Sequence, residues 1–219
     1  SAAERAAGRD YYTSPMAHPV FGALVARQIE QFWLVMDEPN PFYVVEVGSG
    51  RGDLAKAITG YVKSASPEFS RALEYIGIDY DSDGHPDGEV TLIKGQGLPL
   101  RGLVGCVVSN ELIDSFPVHR FVIEQGRILE VYVALDQGKF VEVLDEPSSG
   151  LLEQRLLDLG LDLPDRFRGE INLQMSDWSD SVSNALERGF VLTIDYGHLA
   201  RDLYSDERSQ GTLRCYYRH

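Results

Sequence analysis

Cysteine is nearly absent: two occur in 219 residues, so no disulfide framework can stand in for a hydrophobic core. Cys106 lies within an apolar run and reads as core, and Cys215 lies near the end. Two cysteines cannot make a structural zinc site. The five histidines, His18, His85, His119, His198 and His219, show no metal-ligand spacing, so no metal is expected. Basic residues are scarce, 20 Lys and Arg against 34 Asp and Glu, for a net charge of −14. That balance argues against a nucleic acid, whose phosphates need a basic surface, and against anionic membranes. It suits a basic partner or simply a solvated acidic surface. No apolar run approaches a membrane span, and no secretory signal is visible. There is no G-x-S-x-G, which argues against a hydrolase triad, and no internal repeat. The closing stretch, 211–219, reads as the middle of a structure, so a longer parent chain is expected.

What is present is organised around Val44-Val45-Glu46-Val47-Gly48-Ser49-Gly50-Arg51-Gly52-Asp53-Leu54. The apolar run reads as a buried parallel strand. The alternating glycines read as a tight turn that a ligand's atoms approach closely. The helix that follows points its free N–H groups toward the same place. In an open α/β sheet that place is the carboxyl end of the first strand, and the guest is a nucleotide-like cofactor.

The remaining chain supplies the sheet. A helix is expected over about 20–36, with Val20, Phe21, Leu24, Val25, Ile29, Phe32, Trp33 and Met36 on one face. Strands are expected at 42–47, 74–79, 90–94 and 103–109, with a helix over about 53–62 and a loop over 81–88. Short strands at 121–124, 128–135 and 140–144, separated by Gln125-Gly126 and Gln137-Gly138, read as an antiparallel meander. Helices are expected at 151–159 and about 178–188, the second capped by Gly189, before a strand at 190–194 that ends in Asp195-Tyr196-Gly197. The simplest account is one doubly wound, mostly parallel α/β sheet with an inserted antiparallel meander. Residues 1–41 would form an N-terminal lid segment and helix. Residues 42–117 and 189–219 would form the cofactor-binding domain, and 118–188 an insert on the substrate side.

The choice of cofactor turns on the glycine loop. A P-loop needs Lys-Ser or Lys-Thr after the last glycine, where this chain has Arg51-Gly52-Asp53. A dinucleotide fold prefers G-x-G-x-x-G, and here the spacing is Gly48-x-Gly50-x-Gly52, flanked by Glu46 and Asp53, which would repel a pyrophosphate. S-adenosylmethionine fits better, because it carries no phosphate and has a sulfonium and an ammonium. Asp79, ending the second strand, can accept both hydroxyls of a ribose, which serves NAD equally well. Gln96 follows the third strand, where a polar group can meet the adenine. The expected cofactor-binding residues are Tyr12, Glu46, Gly48, Ser49, Gly50, Gly52, Asp79, Gln96 and Asn110.

A second constellation, Asn110-Glu111-Leu112-Ile113-Asp114-Ser115-Phe116-Pro117-Val118-His119, follows the fourth strand. Carboxylates there can hold a guanidinium bidentately, with Glu111 as the clamp and Asp114 or His119 as proton acceptor or positioning group. The plainer alternative is a helix cap at Asn110 with surface carboxylates beyond it.

Several runs together resemble the MidA-type methyltransferase family: Tyr11-Tyr12-Thr13-Ser14-Pro15 before Phe21-Gly22, Glu46 to Gly52, Asn110-Glu111-x-x-Asp114-x-x-Pro117-Val118-His119, Thr193 to Gly197, and Gly211 to Arg214. The resemblance implies a Rossmann-like class I S-adenosylmethionine fold and methylation of arginine in a protein, of the respiratory complex I subunit kind. It also implies that Tyr11 and Tyr12 fold over the cofactor as a lid, where the residues alone also allow them to pack under the first helix. Ser49 stands where the family more often has proline. The expected compartment is cytoplasmic for a bacterial source and the mitochondrial matrix for a eukaryotic one. Competing readings are a cofactor-binding assembly chaperone without essential catalysis, a small-molecule methyltransferase and an NAD-dependent oxidoreductase. Asp195 reads either as support for the site or as a turn residue.

Overall fold

The order of the apolar strands dictates a sheet in which the strand bearing the glycine loop is central, because a strand buried on both faces needs neighbours on both sides. The computed structural model describes residues 18–81 and 90–214. In it β1 (Phe42–Val47), β2 (Leu73–Asp79), β3 (Val90–Lys94), β4 (Leu103–Asn110) and β9 (Leu186–Ile194) form a five-stranded parallel sheet in the order β3-β2-β1-β4-β9. A second, antiparallel sheet holds β5 (His119–Glu124), β6 (Arg127–Asp136), β7 (Lys139–Asp145) and β8 (Arg168–Ile171), ordered β7-β6-β5-β8. The described residues divide into two compact units. One comprises 18–113 and Asp177–Asp195, the other Asp114–Ser176 and 196–214.

In the first unit, successive residues of β1 face opposite sides. Phe42 and Val44 pack with Ile29 and Trp33 of α1 (Pro19–Val35) and with Leu54 and Ile58 of α2 (Asp53–Ala65). Val45 and Val47 pack on the other face with Val182 and Ala185 of α5 (Met175–Ala185). The sheet is therefore covered by helices on both sides, as a parallel sheet must be. The short helix α3 (Pro67–Ala72) buries Phe69 against Phe42 and Trp33. In the second unit, α4 (Gly150–Asp158) sets Leu152 and Leu156 against Phe121, Ile123 and Phe167. The loop side chain Phe167 and Tyr204, which follows α6 (Ala200–Leu203), complete this aromatic cluster.

The strand expectations lie within a few residues of what is found, and three differences have physical reasons. The helix expected over 178–188 ends at Ala185, and Gly189 is not its cap but lies inside β9. There it pairs with Gly105 of β4, and a Cβ added to Gly189 would stand 2.0 Å from the Gly105 carbonyl oxygen. Glycine serves close strand approach at that position, not helix termination. Strand β8 was not anticipated, because Arg-Gly-Glu-Ile carries too little apolar alternation to signal one. The helix α3 was also unforeseen, being only six residues long. Tyr12, the loop residues 82–88 and the final stretch 215–219 lie outside the described residues. Among the described residues no helix is long and apolar enough to cross a membrane.

Candidate cofactor and methyl-transfer site

Parallel strands end together, so every residue that follows one of them is delivered to the same edge of the sheet. The register sets Val47 beside Ile78 and Asn110 beside Ile194. The glycine loop, Asp79, Gln96, Asn110 and Glu111 of the first unit therefore all stand at one edge.

Gly48, Gly50 and Gly52 have φ of 78°, 52° and 76°, left-handed values that residues with a Cβ rarely adopt. This is the reason for the alternation seen in the sequence. Gly52 is the N-cap of α2. The loop folds onto the neighbouring strand: the amides of Gly48 and Ser49 donate to the Ile78 carbonyl at 2.8 and 3.2 Å, and that of Gly52 to the Ser49 carbonyl at 2.8 Å. The Gly50 amide donates to Oδ2 of Asp79 at 2.8 Å, and Oδ1 of Asp79 accepts from the Asp81 amide at 2.9 Å. Four loop amides are thus already engaged, one of them by a carboxylate. A diphosphate needs bare donors and no fixed negative charge, so the loop suits a ligand without phosphate. Each Asp79 oxygen keeps a second lone pair, which two vicinal hydroxyls can use. Ser49 is 6% exposed and its Oγ has no hydrogen-bond partner. It rests where a Cβ on Gly77 would stand 2.8 Å away. A Cβ added to Gly50, by contrast, would meet nothing within 4 Å. An orphaned buried hydroxyl beside open space is what a polar ligand's cradle leaves, and the donor set fits S-adenosylmethionine.

Glu46 lies inward. It is 3% exposed, on the face shared with Val44 and Tyr75, and its Oε2 accepts from the Tyr75 hydroxyl at 2.9 Å. Burial pushes its pKa up to about 8; the Tyr75 hydrogen bond opposes this, and the negative charges of Asp79 and Asp53 add to it. Burial also pushes the Tyr75 hydroxyl upward, reinforced by Glu46. A bound cation would draw the Glu46 carboxyl back toward its ionised form. Gln96 is exposed, two residues beyond β3.

The turn after β4 reaches the glycine loop. A Cβ at Gly48 would stand 2.9 Å from Cδ1 of Leu112, so the two loops are in close contact. Glu111 has a φ of 48° and its amide donates to the Ile194 carbonyl at 2.9 Å. Oδ2 of Asp195 accepts from the Ile113 amide at 2.9 Å, so Asp195 holds the turn that presents Glu111. Nothing in the spacing of Asp195, Leu112 or Tyr75 announced these contacts, because each joins residues far apart in the chain. In the second unit, Asp114 accepts from the Tyr196 hydroxyl at 2.5 Å. His119, at the start of β5, has its Nδ1 2.7 Å from Oε1 of Glu130.

Residues 24–219 match the family described as "Putative S-adenosyl-L-methionine-dependent methyltransferase", and the chain belongs to that family. Its fold is similar to that of a Burkholderia thailandensis protein crystallised with S-adenosyl-homocysteine, at 26% identity and a TM-score of 0.81, over 96% of this chain and 55% of that one. A native crystal structure of an uncharacterized protein of the same superfamily and organism gives 27% identity and a TM-score of 0.80, over 96% of this chain and 57% of that one. The chain is also 27% identical over 234 aligned residues to the mitochondrial protein arginine methyltransferase NDUFAF7 homolog of Drosophila melanogaster, covering 86% of this chain and 50% of that protein. The chain spans about half the length of these relatives. The fold is the Rossmann-like fold of class I S-adenosylmethionine-dependent methyltransferases, and S-adenosylmethionine is the family's cofactor.

Proposed function

We propose that the protein transfers a methyl group from S-adenosylmethionine to an arginine of a basic protein, with Glu111 as the guanidinium clamp. The observation that carries this reading is the contact of Leu112 with Gly48, which sets the turn bearing Glu111 against the glycine loop. The name of the Drosophila relative supports arginine as acceptor, and the net charge of −14 suits a basic partner. The resemblance to MidA-type proteins makes a respiratory complex I subunit the kind of substrate to try first. The mitochondrial matrix is the compartment proposed for a eukaryotic source, the Drosophila relative's name giving the coarser word mitochondrial, and the cytoplasm for a bacterial one.

When bound, the cofactor supplies an electrophilic methyl on a sulfonium. The chain's residues do the rest. Asp79 holds the ribose hydroxyls, and Gln96 and Asn110 contribute polar contacts. Glu46 and the backbone at Gly48, Ser49, Gly50 and Gly52 hold the amino acid end. Glu111 would pair with two guanidinium nitrogens and leave the third to receive the methyl group that the cofactor would supply. We assign His119 the role of proton acceptor and Asp114 that of a positioning group on chemical grounds.

The test is Glu111→Gln, which keeps shape and removes charge. Cofactor affinity should persist in calorimetry, while transfer of labelled methyl to an arginine-bearing protein, assayed in a full-length version, falls at least about tenfold, the effect of some 1.4 kcal/mol on a barrier. Transfer at the parent rate would remove the clamp assignment. Lost cofactor binding would assign the residue to the other pocket.

A further inference from the structure

The second unit contains a buried carboxylate that the reaction scheme above does not use. Glu130 stands opposite Phe121 in the β5–β6 register. His119, two residues before Phe121, therefore shares its face, diagonally across the ladder. Glu130 is 6% exposed. Its Oε1 lies 2.7 Å from Nδ1 of His119, and its Oε2 accepts from the Ser148 amide at 2.6 Å. The Tyr132 hydroxyl lies 3.0 Å from Oε2 and 3.0 Å from the Glu146 carbonyl oxygen. Ser148 Oγ stands 3.5 Å from Nδ1. Burial alone would raise the Glu130 carboxyl. The hydrogen bonds from Ser148, His119 and Tyr132 outweigh it and hold the carboxyl at about 2. Tyr132 on β6 feels the negative charges of both Glu130 and Asp145, the latter at the end of β7. The His119 side chain remains 34% exposed.

An ionised carboxylate only accepts. The imidazole nitrogen that faces it must carry the proton, which leaves the lone pair of the neutral ring on Nε2. We propose that Glu130 is a positioning residue for His119: it locks the ring with Nδ1 protonated and so makes Nε2 the nitrogen that can take up a proton. This rests on the reading of His119 as proton acceptor. The logic is that of a carboxylate fixing a catalytic histidine's tautomer, built here between adjacent antiparallel strands.

Glu130→Gln separates the charge from the shape. The Ser148 amide needs an oxygen at 2.6 Å, so the new carboxamide turns its NH2 toward His119, Nδ1 must accept, and the proton moves to Nε2. Nitrogen-15 NMR of the imidazole in the intact chain reads the tautomer directly. The parent should show Nδ1–H, Glu130→Gln should show Nε2–H with a folded spectrum, and Glu130→Asp should restore Nδ1–H in part. In a full-length version, methyl transfer should fall at least tenfold for Glu130→Gln with cofactor affinity unchanged. A parent His119 protonated on Nε2, which needs no variant to measure, overturns the proposal. So does a Gln variant with an unchanged tautomer. A tautomer that flips while the transfer rate holds overturns His119 as the proton acceptor, and with it the part of Glu130 in the reaction, while the cofactor assignment stands.

Discussion

The Tyr75 hydroxyl donates to Oε2 of Glu46 at 2.9 Å within the packed face of the parallel sheet. With its pKa raised from 4.5 to about 8, the folded chain holds a proton there that the unfolded chain has released. A raised folded value means the group costs nothing below about pH 4.5, erodes stability as pH climbs toward 8, and has no further effect above. Glu46→Gln is expected to flatten that slope. Thermal unfolding of parent and variant from about pH 5 to about pH 8.5 should diverge, the variant gaining up to about 5 kcal/mol at the alkaline end, at about 1.36 kcal/mol per unit. Parallel curves would show that the carboxyl is ionised throughout.

The same proton gives a signature of binding. If the ammonium of the cofactor meets Glu46, the carboxyl ionises and up to about one proton is released at pH 7. Calorimetric heats in two buffers of different ionisation enthalpy should then differ in proportion. Identical heats would place the ammonium elsewhere.

Asp79→Ala is expected to weaken cofactor binding by about 1.5–3 kcal/mol, the range for hydrogen bonds to a charged group. Because Asp79 also holds the Gly50 amide at 2.8 Å, Asp79→Asn, which keeps an acceptor for the loop, should lose less. An unchanged dissociation constant for the alanine variant would show that the ribose is held by other groups.

Gly50→Val should abolish cofactor binding without unfolding the chain. Its φ of 52° would cost a side chain about 1–2 kcal/mol, but the space around it is open, so the valine methyls would occupy the ligand's side of the loop. The measurement is titration with S-adenosylmethionine alongside a melting curve. Retained affinity in a folded variant, or tight NAD binding by a parent indifferent to S-adenosylmethionine, would overturn the assignment of the loop.

Local pattern alone determined a good deal. The apolar runs and the alternating glycines were enough to expect β1, the loop, α2 and the site at the carboxyl ends of parallel strands, because those features depend on residues close together in the chain. The family-specific run from Asn110 to His119 was equally legible. What the strands bring together across the chain was not. The Gly105–Gly189 approach, the contact of Leu112 with Gly48, the burial of Glu46 against Tyr75 and the hold of Glu130 on His119 each pair residues whose meeting depends on register and strand order. Glu46 shows the difference most clearly. Its place beside the glycine loop was written in the sequence, but its charge state was decided by the fold, since only the packed sheet removes it from water and supplies the hydroxyl it faces.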